Sequence, residues 1–278
     1  MTFGKANAKN GFGELRVKNV AGQSAVTTAR CHSPLKILIP RPRGPSVLAY
    51  FSNYGGGLVA GDEINVTIEL DASTRCYFAT QASTKVYRNT NRLPCGHTLT
   101  AKLGRESLLV LAPDPVQAFA GSHYYQHQEF YLERGAGLVL VDWLSSGRAE
   151  RGERWAFERY ESRNEIFVEG RRLVMDSLLL DPADGAIEGK YRMGRFNCLA
   201  MMVIIGGELR KIAAELLARF SKLPVRRGAA LICSASPMGD GLLIRIAGEH
   251  FEEVRKEINQ SLDFLPQVLH DDPRARKW

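Results

Sequence analysis

The chain has 278 residues, and its longest apolar run, Cys198 to Ile205, is far too short to cross a bilayer. The amino terminus is polar and shows no apolar signal core. The five cysteines (Cys31, Cys76, Cys95, Cys198, Cys233) are odd in number and share no spacing, which excludes a disulfide framework. A reducing cytoplasm is the expected compartment. The net charge is +7, yet no dense basic stripe exists, only short clusters such as Arg41-Pro42-Arg43 and Arg226-Arg227. Helix-turn-helix, RNP and zinc-finger patterns are missing too, which argues against a nucleic-acid partner. The positive charge fits acidic partner surfaces.

Motifs for common chemistry are also lacking. Gly55-Gly56-Gly57 is followed by Gly61-Asp62 and a strand, whereas a P-loop needs Gly-Lys and a helix, and a dinucleotide fingerprint needs G-x-G-x-x-G before a helix. No G-x-S-x-G elbow is present, and Ser83 and Thr84 have no histidine near them in sequence. Cys95-Gly96-His97 and His123-x-x-x-His127 are the visible metal-type pairs, but in strand-like context residues four apart are roughly 13 Å distant, too far to share an ion. A tight zinc site is not expected.

What the chain does have is β-pattern. Ile64 to Leu70 alternates without a fault, so one face is buried and the other wet. Further strand-like segments follow at Thr74–Thr80, Leu99–Leu103, Ser107–Leu111, Gln128–Leu132, Gly137–Leu144, Arg154–Tyr160, Glu165–Val168 and Arg172–Leu180, with a tight turn at Glu169-Gly170. Helical periodicity comes late. Leu209, Ile212, Ala213, Leu216, Leu217 and Phe220 make one stripe, stopped by Pro224, and Phe251, Val254, Ile258 and Leu262 make a second. The pattern predicts a mostly β, many-stranded antiparallel architecture with two α-helices in the C-terminal third. It predicts one domain over 1–278, with 1–12 and 266–278 flexible.

Candidate site residues are acids that interrupt apolar runs. Asp142 ends the buried-looking strand Gly137–Val141, where a carboxylate is costly unless paired, hydrated or bound to a cation. Arg148 is the ion-pair partner nearest to hand. Asp176 intrudes similarly into Leu173–Leu178, and Glu129 is a weaker third, equally explained by a solvated strand face. The glycine turn Tyr54 to Gly61 leaves Asp62 at a strand mouth, and Thr80 to Tyr87 supplies hydroxyls and a lysine beside it.

These segments are specific in combination. Tyr54-Gly55-Gly56-Gly57-Leu58-Val59-Ala60-Gly61-Asp62, Thr80-Gln81-Ala82-Ser83-Thr84-Lys85-Val86-Tyr87-Arg88, Pro113-Asp114-Pro115-Val116 and Leu140-Val141-Asp142-Trp143-Leu144-Ser145-Ser146-Gly147-Arg148 resemble the UreD (UreH) urease accessory proteins in content and order. One departure is Gln117-Ala118-Phe119, where many bacterial members carry proline before the phenylalanine.

The resemblance implies an elongated, mostly β, many-stranded antiparallel or β-helix-like sandwich with two helices and without catalytic activity. It would act as a scaffold between apo-urease, an all-helical partner (UreF) and a nickel-carrying GTPase (UreG). It also implies transient Ni²⁺ passage through an internal tunnel, with no tightly bound cofactor. On that reading Asp62, Asp142, Asp176 and Glu129 line the path. Gly55, Gly56, Gly57, Gly61, Thr80, Gln81, Ser83, Thr84, Lys85, Tyr87 and Arg148 shape it or the partner interface. Isolated carboxylates suit such a conduit, because they bind Ni²⁺ more weakly than Cys/His cages. The competing class is a β-rich hydrolase using Asp62 and Asp142 as an acid–base pair about 5–10 Å apart in an open cleft.

Overall fold

A computed structural model describes residues 10–89, 93–224 and 226–276. The chain starts with a hairpin of β1 (Asn10–Val20) and β2 (Gln23–His32), followed by β3 (Leu35–Leu38) and β4 (Val47–Asn53). One helical turn at Tyr54–Gly56 leads to β5 (Gly57–Leu58), β6 (Glu63–Leu70), β7 (Arg75–Thr80) and β8 (Thr84–Val86). Then come β9 (Cys95–Leu103), β10 (Leu108–Leu111), β11 (Val116–Ala118), β12 (His123–Leu132), β13 (Gly137–Ser145), β14 (Arg159–Val168) and β15 (Arg171–Leu180). The last third holds β16 (Cys198–Ile205), α1 (Arg210–Phe220), β17 (Leu231–Met238), β18 (Gly241–Gly248), α2 (Phe251–Ser261) and α3 (Leu265–Leu269).

These strands form two sheets. The first runs β15-β14-β12-β9-β6-β1-β2; the second runs β17-β18-β16-β13-β10-β7-β4-β3, with β5, β8 and β11 attached beside it. The expected mostly β, β-helix-like sandwich is what forms, but its interior pairing differs from the antiparallel expectation. The β1-β6-β9-β12-β14 neighbours are all parallel, and so are β4-β7-β10-β13. Antiparallel pairs occupy the flanks: β1-β2, β14-β15, β3-β4 and the β13-β16-β18-β17 series. The physical reason is that the chain alternates between sheets, so each return to a sheet repeats the direction of the previous strand. Short turns at regular spacing look the same in sequence whether they close a hairpin or cross to the other sheet.

Burial explains the two kinds of strand pattern. The first sheet packs one face on the core and wets the other, so β6 and β12 alternate strictly. The second sheet is covered on both faces. Leu138 and Leu140 join the core between the sheets, while Val139 and Val141 join a second core beneath the helices. That double burial is why Gly137–Val141 reads as an unbroken apolar run. In the outer core Val254, Ile258 and Leu262 are buried, and Phe251 stacks on Trp143 at 5.3 Å between ring centroids.

Three sequence expectations need correction. A third helix, Leu265–Leu269, follows the expected two. It buries Leu265, Val268 and Leu269, and the Leu269 carbonyl at its end accepts a hydrogen bond from Ser46 Oγ, so the first residues of the segment from 266 are packed in a helix. Residues 10–12 likewise pair in β1, while 1–9 and 277–278 lie outside the described residues. Finally, Arg154–Tyr160 and Glu165–Val168 are not two strands; one strand spans Arg159–Val168. Its inward face carries Ser162 and Asn164, so no apolar alternation marked its middle.

The layering predicts opposite costs for substitutions of similar size. Leu140→Ala should lower unfolding free energy by about 2–5 kcal/mol. Thr67→Ala, on the outer face of β6, should stay within about 0.5 kcal/mol. Denaturant midpoints at constant slope read both.

Candidate functional site

A cavity of about 220 Å³ lies between the sheets. Its exposed lining residues, which mark its mouth, are Gly56, Gln81 and Ala82, with half-buried Ser52 and Asn53 at the end of β4, Ser83, and Thr84 at the start of β8 beside them. The glycine block and the Thr80–Tyr87 run are therefore neighbouring walls, since β5 pairs with β8. Gly55 and Gly56 adopt φ 82° and 73°, which side chains rarely accept. Gly57 is required by proximity instead: a Cβ there would sit 2.5 Å from the Lys85 carbonyl and 2.7 Å from the Tyr87 ring. Lys85 itself is exposed. Thr80 Oγ1 accepts from the Asp114 backbone N–H at 2.7 Å, and both residues line the cavity.

The inner wall is polar because of strand register. Inward positions of neighbouring strands align, and one rung holds Ile64, His97, Gln126 and Ser162. The next holds Val66, Leu99, Gln128, Asn164 and Asp176. Asp142 faces these rungs from β13. Its Oδ2 accepts from Ser162 Oγ at 2.6 Å and from Asn164 Nδ2 at 2.8 Å. Asp142 lines the cavity and is half-buried. Burial pushes its carboxyl above the usual range; donors from Ser162, Asn164 and Gln126 pull it back, and Asp176 adds a further upward push. Around it Gln128 Oε1, Asn164 Oδ1 and Tyr160 OH are buried without a protein hydrogen-bond partner, the kind of atom that water or a cation satisfies.

His97 and Tyr124 continue this polar seam. Tyr124 OH lies 2.8 Å from His97 Nδ1 and 3.3 Å from Gln126 Oε1. Burial, with His127 behind it, holds the His97 pKa down at about 4, so the ring is neutral near pH 7. Asp176 sits at the far edge, where Arg245 Nη2 from the other sheet binds its Oδ1 at 2.8 Å.

The four candidate acids thus part company. Asp142 lines the cavity, and Asp176 borders the same seam in an ion pair. Asp62 is buried in its own turn, where Oδ2 accepts from the Val59 N–H at 2.9 Å, and it is not among the lining residues. Glu129 lies on the outer face of β12 and accepts from Tyr131 OH at 2.9 Å. Asp62 and Asp142 therefore do not share the cleft that an acid–base pair needs. Arg148 does not pair with Asp142 either; it binds Glu153 and covers the Phe119 ring at 4.3 Å. Tyr87 packs edge-on against that same ring. Gly61 takes φ 84° in the turn beside Asp62.

His97 is visible in the sequence only as a metal-type pair with Cys95, and Asp114, Gln126, Gln128, Ser162 and Asn164 do not stand out there as candidates. The signal was a polar residue in phase with apolar ones. Gln126 and Gln128 stand between Tyr124 and Phe130 on one face of β12. Among the described residues no group of three or more His, Cys, Asp or Glu side chains converges as a metal cage.

A family model described as UreD urease accessory protein matches residues 9–278. A protein of Sorangium cellulosum named urease accessory protein UreD is 45% identical over 97% of this chain and 85% of its own length. A second of that name from Anaeromyxobacter is 38% identical over 96% and 89%. Urease accessory protein D of Arabidopsis thaliana is 33% identical over 95% and 99%.

The raised carboxyl predicts a stability signature. In the native state Asp142 binds its proton more tightly than in the unfolded chain, so its contribution to stability falls as pH rises through the raised value. Asp142→Asn should therefore match or exceed the parent in unfolding free energy at neutral pH. The difference should shrink as pH falls and Asp142 protonates. Denaturant titrations at several pH values measure it.

Proposed function

The chain belongs to the UreD urease accessory protein family, and from that membership and the site we propose that it is a urease maturation factor that passes Ni²⁺ through its interior. It acts as a scaffold, without catalysis of its own, between apo-urease, a UreF-type helical protein and a UreG-type GTPase in the cytoplasm. Nickel is cargo here and is never held tightly. The observation that carries this reading is Asp142. A buried carboxylate held by a hydroxyl and neutral amides, with no contacting guanidinium or ammonium among its hydrogen-bond partners, is costly for the fold. A passing cation supplies the missing positive charge.

The route runs from the mouth at Thr80 and Asp114, past Asp142, toward Asp176 at the far edge of the seam. Asp114 takes the entrance role first expected of Asp62. Asp176 would release Arg245 as the ion or a partner arrives. Oxygen ligands in ones and twos hold Ni²⁺ weakly, which suits transfer. The mouth is flanked by exposed Tyr54 and Val59, with Leu93 beside the Gly61 turn, an apolar rim that suits a helical partner. Among the described residues no helix is long and apolar enough to cross a membrane.

Co-expression with urease subunits and the other accessory proteins tests this. Leaving out the chain should abolish nickel loading and activity. Asp142→Ala should lower urease nickel content while leaving complex assembly intact, and Glu129→Ala should change neither. Normal maturation by the Asp142→Ala complex would remove Asp142 from the route.

A further inference from the structure

We propose that His97 presents an unprotonated Nε2 to the cavity and is a transit ligand for a borderline divalent cation, its tautomer fixed by a one-way hydrogen-bond chain that starts at Asp142. The direction of the chain follows link by link. Asp142 Oδ2 accepts from the Asn164 amide at 2.8 Å and so presents an acceptor, to which Ser162 Oγ commits its single proton at 2.6 Å. Ser162 Oγ is then an acceptor, and the Gln126 atom 3.3 Å away must be the donor Nε2. That orientation turns Gln126 Oε1 toward Tyr124 OH, which donates to it at 3.3 Å. With its proton used, the Tyr124 oxygen accepts from His97 Nδ1–H at 2.8 Å. A neutral imidazole carrying its proton on Nδ1 keeps a lone pair on Nε2. Reversing one link sets two donors or two acceptors against each other.

This is the arrangement that metal-binding histidines use, with the ring's other N–H held by a neighbour that fixes tautomer and orientation. Tyr124 and Gln126 are positioning residues in this scheme. His97 lines the cavity, as do Gln128 and Asp142. Imidazole suits nickel and zinc, whereas magnesium and calcium prefer oxygen alone. Since no three such ligands converge among the described residues, His97 and Asp142 serve as single steps and not as a cage. The inference rests on reading the cavity as a nickel route and adds a nitrogen ligand to it.

Protein labelled with ¹⁵N-histidine gives the direct test, with Zn²⁺ as a diamagnetic probe and His97→Gln for assignment. His97 should show the Nδ1–H tautomer, and its Nε2 resonance should shift on adding Zn²⁺. Tyr124→Phe should weaken that response about 10-fold. An Nε2–H tautomer, or an Nε2 resonance that ignores Zn²⁺, overturns the proposal. In cells at limiting nickel, His97→Gln and Tyr124→Phe should lower urease nickel, with rescue by excess nickel. Normal loading by both variants alongside a defect in Asp142→Ala would sink the histidine step and leave the route standing. Normal loading without the chain would sink both.

Discussion

Parallel, in-register pairing is the constraint on which the rest of the structure depends. Because β6, β9, β12 and β14 run the same way, residues of one phase line up across the sheet. A polar side chain at an inward position then meets another polar side chain one strand away. His97, Gln126 and Ser162 make one such row, and Gln128, Asn164 and Asp176 make the next. A register slip of one residue would turn both rows to solvent and bring outer-face residues such as His127 and Glu129 inward. The polar seam is thus a property of the winding and not of any single motif.

Asp142 gives that seam its sign. It arises from the sheet whose two faces are both buried, inside an otherwise apolar strand, between Val141 and Trp143. Its donors come from the opposite sheet, so the carboxylate ties the two walls together at one point. The same burial that raises its pKa also pushes Tyr124 and Tyr160 well above the usual phenol value, with Asp142 as a second cause in each. Among the described residues, the hydrogen-bond partners of Asp142 supply no positive charge. A stable fold gains little from such a group, which is why its presence reads as function. The guanidinium of Arg245, from the other sheet, is engaged by Asp176.

Much of this was legible in the sequence, and the reasons for the misses are physical. Alternation in Ile64–Leu70 and the apolar run at Gly137–Val141 each reported how many faces of a strand are buried. Both amphipathic helices were readable from their stripes. Parallel against antiparallel pairing was not, because direction depends on which sheet a turn leads to. Asp142 and Asp176 stand out in the sequence as acids in apolar runs, and the structure sets Asp62 and Glu129 apart from the cavity. Asp62 closes its own turn, and Glu129 sits in the outward phase of β12. The neutral members of the seam were hidden because Gln, Ser and Asn look unremarkable until a register aligns them. Ser162 and Asn164 even broke the strand pattern that would have revealed β14.

The account turns on whether nickel moves through the space between the sheets. Leu99→Trp would fill that space from its inner wall without altering the outer surface. The decisive measurement is the nickel content of urease recovered from complexes that assemble with this variant. Intact complexes containing nickel-poor urease are the predicted result. Fully loaded urease from a plugged, correctly assembled complex would contradict passage through the chain.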